Sequence, residues 1–254
     1  MQDEESFLKE EVQRLGPWMY KFKLTEKIST TLLVEELSEI HETREKMIFS
    51  KLDEIFDKSW NNLNCLDVAC NEGYFSFELC KRGVNRVLGF DARSTNIKKA
   101  NFLKNYFGFK NLEFFIDDIN SIDHTKLEKF DVVFLLGLLY HVENPMMILR
   151  KIRNLTKTLC IIDTQITRFN EKITMGWGLK DQTEETFDSI GLVEEKTFEH
   201  SITGSVTGLS FVPNKSALLK MLKYAGFNEV EILPPIPNSH EQYVNSDRVI
   251  LFAK

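Results

Sequence analysis

The sequence predicts an α/β fold in which a mostly parallel sheet is covered by helices on both faces. Three observations carry this. From residue 64 onward, short apolar runs alternate with amphipathic segments, the runs are continuously apolar, and glycines close the segments between them. A strand buried on both faces reads as an unbroken apolar run, and parallel neighbours need a crossover helix.

The elements follow in order. CLDVA (65–69) is a strand, and a helix from Gly73 to Arg82 closes at Gly83. RVLGFDA (86–92) is the second strand, and a helix from Thr95 to about Phe107 ends at Gly108. LEFFI (112–116), DVVFLLG (131–137) and LCIIDT (159–164) are the third to fifth strands. Asn144 and Pro145 stand in cap and first-turn positions of a helix whose apolar face is Ile148, Ile152 and Leu155. After Thr164 the pattern breaks into a polar stretch, 165–210, read as a lid over the strand ends. It resumes with PNKSALLKMLKYAGF (213–227), a helix stopped by Gly226, then the strands VEIL (230–233) and RVILFA (248–253). Residues 1–60 read as a helical N-terminal cap on a sheet domain spanning 61–254.

Composition narrows the function. The 254 residues are 43% apolar, with 20 Phe, so a full core is available. Thirty-two basic against 38 acidic residues give a net charge of -6, which does not support a general grip on nucleic acid. The longest apolar run, VVFLLGLLY (132–140), is too short to span a bilayer, and the acidic first residues carry no signal-peptide pattern, so the expected location is cytoplasmic. Cys65, Cys70, Cys80 and Cys160 lack metal-ligand spacing and read as reduced core residues, with no metal site.

The turn LDVACNEG (66–73) occupies the place where an open parallel sheet binds ligands. A pyrophosphate would want close-approach glycines there, yet Asp67 and Glu72 flank the turn and GxxxxGK[ST] is absent. The turn therefore favours a cation-bearing adenosine derivative, S-adenosyl-L-methionine. Asp91, 24 residues beyond Asp67 at the end of the second strand and followed by Ala92, is placed to accept ribose hydroxyls. Asp118 and Ile119, after the third strand, are placed to bond an adenine amino group and cover the ring.

Through LDVACNEG, VLGFDA, FFIDDI and FDVVFLLGLLYH the chain resembles the class I S-adenosylmethionine-dependent methyltransferases. The resemblance implies a Rossmann-like, seven-stranded sheet of order 3-2-1-4-5-7-6 with the last strand antiparallel. GPWMYKFKL (16–24), GLLYHVENP (137–145) and SFVPNKSALLKMLKYAGF (210–227) resemble more narrowly the branch containing the wobble-uridine tRNA methyltransferases. Ala69 and Asn71 stand where many members carry Gly; Asn71 tolerates a left-handed backbone.

Candidate cofactor contacts are thus Asp67, Ala69, Asn71, Gly73, Asp91, Ala92, Asp118, Ile119 and Gly137, with Trp18 and Tyr20 as an aromatic wall for the sulfonium. His141 is either a proton acceptor or a loop anchor, and Tyr140 beside it faces the methyl group or closes the core. Trp177, His200 and Arg248 are candidate substrate contacts, whereas His41 and Arg44 read as solvent-facing. The expected reaction is methylation of an oxygen, ahead of nitrogen or carbon, of a small metabolite. The alternatives are a tRNA wobble-uridine methyltransferase and a non-catalytic cofactor-binding scaffold. The oligomeric state has no signature in the sequence.

Overall fold

The structure, a computed structural model, describes residues 2–169, 188–195 and 204–254. Its elements run α1 (Gln2–Leu15), α2 (Leu37–Phe56), β1 (Asn64–Val68), α3 (Tyr74–Lys81), β2 (Arg86–Asp91), α4 (Ser94–Phe107), β3 (Leu112–Ile116) and β4 (Phe130–Leu136). They continue with α5 (Pro145–Leu155), β5 (Thr156–Gln165), β6 (Ile190–Glu194), β7 (Leu209–Pro213), α6 (Lys215–Ala225), β8 (Val230–Ile232), α7 (Glu241–Val244) and β9 (Arg248–Ala253). The main sheet has the order β3-β2-β1-β4-β5-β9-β8, with β9 antiparallel to both neighbours. This is the expected order once the separate β6–β7 hairpin is set aside.

The two faces of the sheet carry separate cores, because successive strand residues point to opposite sides. Cys65, Val132, Phe134 and Ile161 pack with Met47, Ile48, Leu52 and Phe75 of α2 and α3. Leu66, Val68, Val133 and Cys160 pack on the other face with Ile148, Ile152, Leu218 and Leu222 of α5 and α6. Local chemistry fixes the helix ends. Asn144 accepts from the Met147 amide and Asn214 from the Ala217 amide, while Gly108 and Gly226 close α4 and α6 in the left-handed conformation. All four cysteines are free and buried.

Three sequence expectations change. Residues 1–60 are helical only over α1 and α2; residues 16–36 between them are irregular, with single bridges such as Trp18 to Leu32. Val12, Leu15 and Trp18 belong to the same core as Phe77 and Phe134, so the N-terminal region shares the core of the sheet. The stretch after β5, read as a lid, contains the hairpin β6–β7, whose pairing runs from Ile190 opposite Pro213 to Glu194 opposite Leu209.

One buried ion pair attaches the irregular N-terminal segment to the sheet. The Glu72 carboxylate accepts the amides of Met19 (2.9 and 3.0 Å) and Tyr20 (3.1 Å). Lys99 of α4 donates to Glu72 at 2.9 Å and to the Pro17 carbonyl, and lies over the Trp18 ring. Both charged side chains are almost wholly buried. Burial pushes the Glu72 carboxyl up, against the ammonium of Lys99 and the two amides that hold it down. Removing one member strands the other, at a cost of about 3–5 kcal/mol. Lys99→Met is therefore expected to lower the urea midpoint by the equivalent of about 3–5 kcal/mol. An unchanged midpoint would show that the clasp does not hold the segment.

Candidate active site

The turn after β1 keeps a glycine-type backbone with few glycines. Ala69 (φ 54°), Asn71 (φ 52°) and Gly73 (φ 82°) are all left-handed. For an alanine this conformation costs about 1–2 kcal/mol, so the surroundings must hold it. The Cys70 amide donates to the Phe90 carbonyl at 2.9 Å, and the Asn71 amide donates to Asp91 at 3.0 Å. Gly73 has no substitute, because a Cβ there would lie 2.5 Å from the Phe114 ring.

Asp91 ends β2 beside this turn. Its carboxylate accepts from the amides of Asn71 and Arg93 (2.8 Å) and from the Asn96 side chain (3.2 Å). Burial raises its pKa and those hydrogen bonds oppose the rise. Asp91 lines both lobes of a continuous cleft at the carboxyl ends of the strands. The outer lobe is walled by Ala69, Ala92, Asp118 and Ile119 on one side and by Gly204–Thr207 on the other. The inner lobe has a volume of about 280 Å³ and is walled by Tyr20, Asn71, Gly137, Tyr140, His141 and Arg248, among others. Small-molecule sites range from about 300 to 1,000 Å³.

The two carboxylates that drew attention to the turn do not edge the cleft. Glu72 turns away to clasp the N-terminal segment. Asp67 is buried against α3, where the Ser76 hydroxyl donates to it at 2.6 Å. Burial pushes the Asp67 carboxyl up to about 7, partly offset by the Ser76 bonds. Beside this turn the carboxylate on the cleft wall is Asp91, in place of Asp67 and Glu72.

At the inner end, Asp163 of β5 meets two guanidinium groups. Arg248 of β9 donates to it at 2.6 Å, Arg44 of α2 lies 3.1 Å away, and the Tyr243 hydroxyl donates at 2.7 Å. Arg248 also donates to the Tyr140 hydroxyl at 3.0 Å and to the Gln242 side chain. Two cations share one carboxylate, so this network carries one unbalanced positive charge beside the cleft. His41 and Arg44 are buried and line the inner lobe, overturning the solvent-facing reading. The reason is that α2 packs on the sheet through Met47, Ile48 and Leu52, which brings His41 and Arg44 to the cleft wall. Burial, then Arg44 and Arg248, push His41 well below its ordinary range, so its ring is neutral where it stacks on Tyr20.

His141 lines both lobes. Its Nδ1 lies 2.9 Å from both carboxylate oxygens of Glu195, just past β6. Burial would raise Glu195, but the hydrogen bond and the electrostatic attraction of His141, with the hydrogen bonds of Ser205 and Ser210, overcome that and hold the carboxyl at about 2. A histidine held by a carboxylate on one nitrogen is the usual arrangement of a general base.

Among the sequence candidates, Ala69, Asn71, Asp91, Ala92, Asp118, Ile119, Gly137, Tyr20, Tyr140, His141 and Arg248 line the cleft. Gly73 shapes the turn from behind, and Asp67 is shielded. Trp18 is 1% exposed and donates to the Val12 carbonyl, inside the core rather than on the inner lobe. Trp177 and His200 lie outside the described residues. The sequence reading missed Glu195, Arg93 and the partnership of Arg44 with Asp163. Glu195 sits in a stretch without periodicity, and the Arg44 contact spans more than a hundred residues of chain. Among the described residues no cluster of potential metal ligands occurs and no helix is long and apolar enough to cross a membrane.

The chain and its fold have known relatives. The family model described as a methyltransferase domain matches residues 59–226. The tRNA U34 carboxymethyltransferase of Desulfotalea psychrophila is 29% identical over 69% of this chain and 48% of its own length. That of Campylobacter jejuni is 28% identical over 66% of this chain and 50% of its own. The chain thus spans about half the length of these relatives, although a Helicobacter pylori homologue of the same name matches over 84% of its length at 26% identity. Among solved structures, the N-terminal domain of EvdMO1 in the presence of SAH and D-fucose superposes with a TM-score of 0.73 at 20% identity, covering 98% of this chain and 96% of that one. Magnesium protoporphyrin IX methyltransferase from Synechocystis PCC 6803 with bound SAH gives 0.57 at 15% identity, covering 98% of each chain.

The shielded Asp67 has a consequence for stability. A carboxyl raised from 3.8 to about 7 on folding contributes stability that is full below its ordinary pKa and is lost as pH rises through about 7. Asp67→Asn removes that dependence. Its stability relative to the parent is expected to increase from about pH 4 to about pH 7, by roughly 3–4 kcal/mol, since a tenfold change in proton affinity is worth about 1.4 kcal/mol. Parallel pH profiles of urea stability for the two proteins would contradict it.

Proposed function

This chain belongs to the methyltransferase-domain family, and from that premise we propose that it transfers a methyl group from S-adenosyl-L-methionine to a hydroxyl oxygen of a small acceptor at the inner end of the cleft. The observation that carries the choice of oxygen is the His141–Glu195 pair on the cleft wall. When bound, the cofactor supplies a methyl group already activated by a cationic sulfur. A base is needed only when the acceptor holds its proton tightly, as an alcohol does.

The residues present fit this cofactor. Asp91 retains carboxylate capacity on the cleft wall for the ribose hydroxyls, and Ala92, Asp118 and Ile119 line the outer lobe where adenine belongs. The left-handed turn Ala69–Gly73 brings bare backbone beside them. Gly137 (φ 72°), just past β4, lines the inner lobe, where a Cβ would lie 3.7 Å from the Tyr140 hydroxyl. His141 takes the hydroxyl proton on the nitrogen that Glu195 does not hold. Tyr140, Gln165, Gln242 and neutral His41 offer the acceptor uncharged hydrogen-bonding groups.

A second reading is favoured by a specific observation. The relatives are named tRNA U34 carboxymethyltransferases, and the inner lobe carries an unbalanced guanidinium charge. In this reading the acceptor is a tRNA wobble uridine, and the donor carries a carboxylate that meets Arg248 and Tyr140. The net charge of -6 weighs against a polyanionic acceptor.

Transfer of a labelled methyl group into a metabolite extract, with none into bulk tRNA, is the expected outcome. A carboxymethylated wobble nucleoside, formed only when the carboxylated donor is present, would replace the first reading with the second. Asp91→Ala is expected to weaken S-adenosylhomocysteine binding roughly tenfold to hundredfold by calorimetry, the loss of one or two hydrogen bonds to a charged group. His141→Gln is expected to lower turnover by about 10²–10⁴-fold while cofactor affinity stays nearly constant. Unchanged turnover in His141→Gln would remove the base from the mechanism.

A further inference from the structure

Glu195 is a junction between the candidate base and the loop that covers the outer lobe. Its carboxylate meets His141 Nδ1 on one side. On the other it accepts the Ser205 amide at 2.7 Å and the Ser210 hydroxyl at 2.8 Å. Ser205 belongs to Gly204–Thr207, the segment facing Ala92, Asp118 and Ile119 across the outer lobe. That segment is latched from below by Arg93, which donates to the Gly204 carbonyl at 2.8 Å, two residues past Asp91. The hairpin is anchored independently, since the Phe211 amide donates to the Val142 carbonyl next to His141.

The chemistry of the junction is directional. An ionised carboxylate only accepts, so the nitrogen facing it must carry the proton. A neutral imidazole protonated on Nδ1 has its lone pair on Nε2. That nitrogen of His141 has no hydrogen-bond partner among the described residues, and the ring lines both lobes. Resting on the reading of His141 as proton acceptor, we propose that Glu195 is a positioning residue that holds His141 in its base-competent tautomer only while Gly204–Thr207 covers the outer lobe, so that closure over the cofactor and readiness of the base are one event. The loop sets the carboxylate through Ser205, Ser210 of the anchored β7 holds its other oxygen, and the carboxylate sets the ring. An open loop would take the Ser205 amide away from Glu195 and leave the carboxylate held on that side by Ser210 alone, freer to turn to solvent. Water would then meet a cofactor with no oriented base beside it, which guards the methyl group against hydrolysis.

The test uses protein labelled with ¹⁵N-histidine, the His141 signals being assigned by their loss in His141→Gln. Long-range proton–nitrogen spectra report which ring nitrogen carries the proton, with no acceptor required. The parent protein is expected to hold His141 mainly as Nδ1–H. In Glu195→Gln, whose amide can donate to Nδ1, Nε2–H is expected to become the majority form, with S-adenosylhomocysteine affinity within about threefold of the parent. Ser210→Ala, which makes no hydrogen bond to His141 and does not line the cleft, should give an intermediate mixture and decides the role of Glu195 if Glu195→Gln fails to fold. In a titration with S-adenosylhomocysteine the Ser205 amide and the His141 ring are expected to move with one midpoint. An unmoved tautomer in both variants, or two separate midpoints, would overturn the proposal. Parent protein that takes up no S-adenosylhomocysteine would overturn the cofactor reading and the coupling with it, leaving the tautomer comparison in free protein to decide the role of Glu195 alone.

Discussion

The cleft exists because a carboxylate that ends up fully buried is satisfied from two directions. Glu72 stands in the turn after β1, and its partners are the backbone of Met19 and Tyr20 and the ammonium of Lys99. Without it the segment between α1 and α2 would still pack through Trp18, Tyr20 and Phe22, but its backbone at Met19 and Tyr20 would lose the polar anchor to the turn. With it, Met19 and Tyr20 become a wall of the inner lobe, and α2 follows behind them with His41 and Arg44. Tyr20 stacks on His41, which lines the same lobe, and on Tyr74. A buried ion pair is weak evidence of stability in itself, because desolvation offsets much of its attraction. Its value here lies in placement.

Charge along the cleft is graded. Asp91 supplies a carboxylate at the outer lobe, and the pair of arginines around Asp163 supplies excess positive charge at the inner end. His141 stands between them, on the wall of both lobes. A ligand with hydroxyls at one end and an electron-rich group at the other matches this gradient. The same gradient separates the two readings of the acceptor, since an anionic group would be drawn to Arg248 and a neutral hydroxylated one to the amides of Gln165 and Gln242.

The turn itself illustrates how a backbone requirement outlives its usual residue. Ala69, Asn71 and Gly73 all hold positive φ, but only Gly73 is forced to be glycine, by the Phe114 ring. At Ala69 and Asn71 the conformation is imposed by neighbours, chiefly the bonds from Cys70 to Phe90 and from Asn71 to Asp91. Strain of this kind persists where the surroundings over-determine it, and it is common at ligand sites.

Much of this protein was legible along the chain. The alternation of strands and helices, the cap at Asn144, and the row of Asp91, Asp118 and Gly137 at successive strand ends follow from short-range patterns of period, turn residue and spacing, while the sheet order followed from the family resemblance of the motifs. What only the tertiary structure decided was where each charge points. Glu72 left the cleft, Arg44 entered it, Trp18 sank into the core, and Glu195 found His141 across 54 residues of chain. Periodicity records whether a face meets core or water. It holds no record of which buried charge meets which, because that depends on partners brought together by folding and on the need of each to be compensated once water is gone.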